Sequence, residues 1–258
     1  IGKPRVRKFY KQTAKLQGSY VLESGTLYDN ITVVGFANYN FKYSKKRQLV
    51  ESILRFDYYN FDRTAGLSNT TGDVLNMHVT AKYAYTYWLE QKKKVEIRAH
   101  LGQNLFYSGF NDLRYGMSLG GQSGTQDVLY EYWMMGRNET EGIYGNQRIE
   151  NQGGFKTTSG FGTSTSMIFG TNLVIDVPYL PFVLYSDFGM FDNAGTMTTV
   201  YDAGAGLRIG ETFGIYFPFL ESANLKASYP AGTKYWSKIR LTINMNGLKP
   251  GNLIQSAL

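Results

Sequence analysis

The chain has 258 residues, no Cys, 29 Gly, 21 Tyr and 16% aromatic residues, with a formal net charge of +7. Absence of Cys excludes a disulfide framework and thiolate metal sites, and suits a chain that crosses an oxidising periplasm. A mean hydropathy of -0.30 and the lack of any apolar run near twenty residues exclude spanning helices, though not a β-barrel, whose polar lumen keeps average hydropathy low.

The chain opens at Ile1 without a charged-then-apolar leader, which reads as either a processed mature protein or, the favoured reading, a piece of a longer one. Lys3, Arg5, Arg7, Lys8, Lys11 and Lys15 hold six of the 27 basic residues and stand among no acids, so the other 21 basic residues nearly cancel the 20 acidic ones. Residues 1–15 therefore read as a solvated basic lead-in beside anionic headgroups. No nucleic-acid motif comes after it, and nucleic acid is not an expected partner.

Residues 16–258 read as one all-β domain. After Leu16–Glu23, apolar residues occupy Ile31, Val33, Ala37, Tyr39, Phe41 and Tyr43, with Thr32, Asn38, Asn40 and Lys42 between them. Leu54, Phe56 and Tyr58 then alternate with Glu51, Arg55 and Asp57. The clearest run is Leu75 to Glu90, which alternates over sixteen residues with Leu75, Met77, Val79, Tyr83, Tyr85 and Tyr87 on one side. A period of two is a strand with two unlike faces. Soluble strands usually stop at about five or six residues, whereas a tilted membrane strand needs about 9–11 within the hydrocarbon. Val95 to Asn104, Met167 to Val177, Tyr201 to Ile209 and Lys238 to Met245 repeat the pattern.

The fold expected is an antiparallel up-and-down transmembrane β-barrel of about twelve strands, with ten the next count, two of the twelve coming from 107–163. Ser44–Arg47, Gln91–Lys93, Pro178–Pro181 and Gly210–Thr212 read as short periplasmic turns, and Asp62–Asp73, Asp192–Thr198 and Glu221–Trp236 as longer outer connections. That sense places the C-terminus in the periplasm. A long outer loop around 108–152 carries the Tyr130–Met135 cluster, and contacts to other outer-membrane or surface proteins are expected through 110–151.

The two faces assign residues. Leu75, Val79, Tyr83, Tyr85, Tyr87, Ile239, Leu241 and Ile243 are expected to face lipid. Lys42, Glu51, Arg55, Asp57, Glu96, Arg98, Asp187, Asp202, Arg208 and Arg240 are expected to form a lumen charge network, since unpaired ions in a filled interior are costly. A turn between Lys46 and Arg47 sets Lys42 opposite Glu51. Tyr216 is expected over Gly206, where a ring covers bare backbone. Phe36, Trp88 and Tyr216 pointing inward imply a filled lumen. A turn centred at Lys92 would set Glu96 opposite Trp88 and His100 opposite Ala84. It would hold His78 and His100 about six strand residues, roughly 20 Å, apart.

Tyr201-Asp202-Ala203-Gly204-Ala205-Gly206-Leu207-Arg208-Ile209, Ile215-Tyr216-Phe217-Pro218-Phe219 and Lys238-Ile239-Arg240-Leu241-Thr242-Ile243-Asn244, preceded by Gly136-Arg137-Asn138-Glu139 and Gly153-Gly154-Phe155, resemble the C-terminal outer-membrane region of Bacteroidota-type membrane alanyl aminopeptidase-like metallopeptidases. The resemblance covers roughly Gly116 to Leu253 and implies a zinc peptidase upstream, with this region as its membrane anchor. The His-Glu-x-x-His zinc motif such enzymes use is missing here: the two His, His78 and His100, lie in no such motif. No catalytic residue, cofactor or metal is therefore expected in this chain, with zinc confined to the upstream domain. The expected role is an anchor or scaffold of a larger peptidase-like or multi-protein assembly in the outer membrane of a Gram-negative bacterium, contacting its lipid. A small pore or uptake barrel is the alternative, with an outer-membrane hydrolase behind it.

Overall fold

The computed structural model describes residues 9–24, 28–65, 68–109, 116–121, 145, 147, 149, 151–157, 161–209 and 213–243. They form ten strands in one antiparallel sheet, each paired with its neighbour in sequence. These are β1 (Phe9–Ser24), β2 (Tyr28–Lys45), β3 (Gln48–Ala65), β4 (Ser68–Trp88), β5 (Lys93–Gly109), β6 (Met167–Asp176), β7 (Phe182–Asn193), β8 (Thr196–Ile209), β9 (Phe213–Glu221) and β10 (Arg240–Ile243). A helix of one turn, Ala223–Ala227, capped by the Ser222 side chain, lies between β9 and β10. Among the described residues the extra two strands expected from 107–163 do not enter the sheet between β5 and β6, which pair directly, Glu96 opposite Val174. The described parts of the intervening segment make only isolated bridges, Met117 to Ser164 and Gln147 to Leu241.

Two of the longer connections expected are shorter than their polar, Gly-containing sequences suggest. β3 and β4 stay paired out to Ala65 and Ser68, and β7 and β8 out to Asn193 and Thr196. At the second, Ala194 and Gly195 both have positive φ, 50° and 86°, the backbone of a two-residue hairpin turn that matches strand twist. β1 starts at Phe9, so Lys11 and Lys15 lie on a strand rather than in the lead-in. Residues 1–8 and the 122–144 part of the expected outer loop fall outside the described residues.

Alternation sets one face against the other. On β7, Val183, Tyr185, Asp187 and Gly189 are buried while Leu184 is 52% and Phe188 42% exposed. On β4, Asn76, His78 and Ala84 are buried and Tyr83 and Tyr85 are exposed. The buried face is called inner here. It is concave, because Arg208 on β8 reaches Glu96 on β5 at 3.3 Å, although three strand spacings on a flat sheet would be about 14 Å.

The inner face toward the long loop is covered by a strap made of 116–121, 151–157 and 161–166. The strap is tied to itself by Met117 and Ser164, which exchange backbone bonds of 2.8 Å, and by Phe155 N–H donating to the Leu119 carbonyl at 2.9 Å. Met117, Leu119 and Phe155 pack with Ile168 and Val200 of the sheet into a fully buried apolar cluster. A second cluster joins Val174, Val183, Tyr185 and Tyr216. Bare backbone lets the strap sit this close: a Cβ on Gly170 would lie 2.7 Å from the Gly153 carbonyl oxygen, and one on Gly189 2.8 Å from the Phe155 ring. Gly189→Leu is therefore expected to displace Phe155 and destabilise the fold by about 1–3 kcal/mol, read as a lower urea midpoint, while Gly195→Ala, with nothing within 4 Å of the new Cβ, costs only the strain of its positive φ.

Candidate functional site

The inner face carries its charge in clusters arranged along the strands, and each is placed by register. At the short-turn end, the Lys46–Arg47 turn sets Lys42 opposite Glu51, as the sequence predicts, and the ammonium meets the carboxylate at 2.6 Å. The sheet here bounds a cavity of about 780 Å³ whose walls include Lys42, Lys46, Arg47, Lys93, Asp176 and Arg208. These residues come from β2, β5, β6, β8 and the turn between β2 and β3.

One step deeper, Glu96 accepts Lys94, Arg208 at 3.3 Å and, more loosely, Lys82 at 3.8 Å. Three cations on one carboxylate leave the cluster net positive. A smaller cavity of about 210 Å³ opens beside it, lined by Glu51, Thr80, Lys82, Arg98, Asn172 and Arg208 among others.

Between β4 and β5 the register differs from the one expected. The turn spans 89–92 and Trp88 pairs with Lys93, so its centre falls before Lys92, and a bulge between Thr86 and Trp88 adds one more residue of shift. A bulge adds a residue to one strand and re-aims the side chains beyond it. Glu96 thus lies opposite Ala84, and His100 opposite Thr80. Trp88, expected inward, instead stacks edge-on with Tyr179 of the next turn, ring centroids 4.6 Å apart. The two histidines, expected about 20 Å apart, have ring centroids 5.5 Å apart. His78 faces Asp57, Nε2 to Oδ2 3.3 Å, and Asp57 also accepts Arg55 Nε at 2.6 Å. His100 Nδ1 shares a 2.8 Å hydrogen bond with the Thr80 hydroxyl. Acid, imidazole and hydroxyl are all present, yet they do not form a triad. A triad needs its acid on the ring that serves the nucleophile, and here Asp57 holds one ring while Thr80 meets the other.

The deepest cluster is Asp187. Its carboxylate, 0% exposed, accepts the Lys156 backbone N–H at 2.8 Å, Lys156 Nζ at 3.0 Å and Asn172 Nδ2 at 3.0 Å. Lys156 is itself 1% exposed, with its ammonium 5.2 Å from the Tyr185 ring centre and 5.6 Å from that of Tyr216. Asp202 stands opposite Asp187 in register, with Tyr185 Oη donating to it at 3.4 Å. Asn172 also receives Arg98 at 3.0 Å and donates to the Gly153 carbonyl at 3.1 Å. Lys156 is the residue that sequence does not single out: it comes after a Gly-Gly-Phe run whose alternation around Phe155 reads as strand, where the structure has no strand to assign it a face. Tyr216 lies opposite Gly206, as expected.

At the long-loop end, Glu221 accepts Tyr229 Oη at 2.8 Å and Lys238 Nζ at 2.6 Å, and Tyr229 also meets the Thr157 hydroxyl at 3.0 Å. Burial, together with the neighbouring Glu221 carboxylate, pushes the Tyr229 phenol well above its ordinary range, against the lowering effect of Thr157. Arg240 is buried opposite Tyr216. Of the residues expected to face lipid, Tyr83 and Tyr85 are exposed, and Leu75, Val79, Tyr87 and Ile239 are half-buried. Leu241 is buried rather than exposed, because the Gln147 backbone bridges alongside it. The Ile243 side chain lies outside the described residues.

No protein-family model, no curated protein and no solved structure matches this chain.

Two measurements check the clusters. Lys156→Met strands Asp187 without its cation and is expected to cost about 3–5 kcal/mol in urea unfolding, much of which returns when Asp187→Leu is added. The neutral Tyr229 phenol is the form held by the fold, so its stabilisation is full below about pH 10, the unfolded value, and is lost as pH rises toward the higher folded value. The melting-temperature advantage of the native chain over Tyr229→Phe should accordingly shrink between pH 9 and pH 12, both values set as roughly one to two units either side of that range.

Proposed function

We propose that this chain closes into an up-and-down β-barrel that anchors, or serves as scaffold for, a larger peptidase-like or multi-protein assembly in the outer membrane of a Gram-negative bacterium. The observation that carries the reading is the reversed polarity of the sheet. Asp57, Glu96, His100, Asn172, Asp187 and Asp202 are buried on the inner face, while Ile97, Leu101, Phe106, Leu184, Phe188 and Tyr201 are exposed on the outer one. In water that arrangement is doubly unfavourable: it exposes an apolar surface larger than monomeric proteins usually tolerate and removes charges from solvent. In a bilayer the outward residues meet hydrocarbon, and the inward ones pair with each other.

Strand length supports the same setting, since β2 to β5 run 17 to 21 residues, beyond what about 9–11 residues need for the hydrocarbon alone. The peptidase-like partner rests on the motifs that resemble the C-terminal region of those metallopeptidases. A small pore is the competing reading. The strap weighs against it, because Met117, Leu119, Phe155 and Lys156 are buried against the inner face beyond the cavities. Ten strands also lie well below the 16–18 that leave an aqueous channel in porins.

The test is gel migration after extraction in mild detergent with the chain refolded alone. Unheated protein should run faster than heated protein, the mark of a closed detergent-resistant barrel. A chain that is soluble without detergent and shows no mobility shift would sink the reading.

A further inference from the structure

We propose that the cavity at the short-turn end of the inner face is a binding site for a phosphate-bearing anion. Its volume, about 780 Å³, lies within the range of small-molecule sites, roughly 300–1,000 Å³. Its walls are unusually cationic: Lys45, Lys46, Arg47, Lys92 and Lys93 line it at or beside the β2–β3 and β4–β5 turns, Lys93 also donating to the Leu180 carbonyl and Arg47 to the Tyr87 carbonyl. Three further wall residues, Lys42, Lys94 and Arg208, are matched by Glu51 and Glu96. Asp176 is the one carboxylate among the described wall residues, and it is already engaged by the Lys94 backbone N–H at 2.9 Å.

A run of charge along a turn is ordinarily just solvated surface. Two features separate this one from that. The cations share a single concavity, where low-dielectric walls focus their field and raise the local concentration of counter-ions. The charge is also kept at a backbone cost, for Lys92 has φ 53°, a left-handed conformation in which Gly or Asn is the less strained choice. Lysines act as point charges toward phosphate without demanding the paired geometry that a planar carboxylate asks of Arg. Phosphate carries close to two charges and three acceptor oxygens at neutral pH, which suits an array of separated ammonium groups better than a single carboxylate would. Leu49, Ala84 and Leu89 add an apolar side to the wall, and Arg208 also lines the smaller cavity below, so an anion with an organic body has room to extend inward.

The site belongs to the concave inner face and stands whether or not the chain is a membrane anchor. The same chemistry could be supplied by a soluble phosphate or by a lipid headgroup, and two arms tell them apart. The full chain, refolded in an uncharged detergent, is titrated calorimetrically with tripolyphosphate and, separately, with short-chain phosphatidylglycerol. Lys45→Gln/Lys46→Gln/Lys92→Gln is titrated alongside, all three positions being exposed, with Lys46→Glu alone as the second variant should the triple one fail to fold. Saturable one-to-one binding of tripolyphosphate, weakened at least tenfold in the variant and by added salt, supports a soluble anion. Saturation by phosphatidylglycerol alone, lost in the same variant, supports a headgroup. Binding in neither arm, or binding that the variants leave unchanged, overturns the proposal.

Discussion

A carboxylate taken wholly out of water must find its partners in the protein, and Asp187 imposes that condition on everything around it. One of its ligands comes from its own sheet, Asn172 on β6, and two come from Lys156 of the strap, the backbone N–H and the ammonium. The strap must therefore lie flat on β6 and β7, and that in turn requires Gly170 and Gly189 beneath it. Removing either partner of a buried pair leaves an uncompensated charge, so the electrostatics and the close backbone packing are one device rather than two. The apolar cluster of Met117, Leu119, Phe155, Ile168 and Val200 then shields the pair, and shielding strengthens it, because a charge contact is worth more in a low dielectric.

From that anchor the inner face grades toward solvent. At depth, Asp187 and Lys156 form a fully enclosed one-to-one pair, with Asp202 beside them accepting the Tyr185 hydroxyl. At Glu96 three cations share one carboxylate, and at the short-turn mouth lysines outnumber acids and face a cavity. Desolvation explains the order. Excess charge is affordable only where water or a counter-ion reaches it, so neutrality is strictest at depth and relaxes at the rim. The formal +7 of the whole chain therefore says little about the interior, whose pairs are local.

Strand existence, face assignment and meander order were legible because a period of two over many residues is a strong signal and a slip of one residue would invert every side chain. Lys42 opposite Glu51 and Tyr216 opposite Gly206 came from turns that hold their expected centre. The β4–β5 register did not, because a run such as Gln91-Lys92-Lys93-Lys94 carries nothing that marks a turn centre, and the turn formed at 89–92, with a one-residue bulge after Thr86, moves every pairing above it. That shift is why His78 and His100 meet. The strap was illegible for a different reason. Its alternation around Phe155 reads as strand, but the segment is held by the sheet it covers rather than paired into it, so Lys156 is found only once Asp187 is placed.

The polarity of the sheet bears on which solvent the molecule was shaped for. A soluble β-sandwich buries its apolar face against a second sheet, yet here the covered face is the charged one and the strap, not a sheet, covers it. The outer residues Leu184, Phe188, Tyr201 and Phe219 are exposed in succession across β7, β8 and β9, too continuous to be scattered surface apolarity. On the membrane reading, hydrocarbon satisfies them without any partner protein. The structure then has no need of a large apolar core: among the described residues, small apolar clusters and a set of buried ion pairs hold the inside, while long strand pairing supplies the hydrogen bonds that a bilayer cannot. At the inner end away from the strap, Lys42–Glu51, Lys94–Glu96 and Arg208–Glu96 contacts tie the basic mouth to the sheet, and Lys45, Lys46 and Lys92 line its cavity.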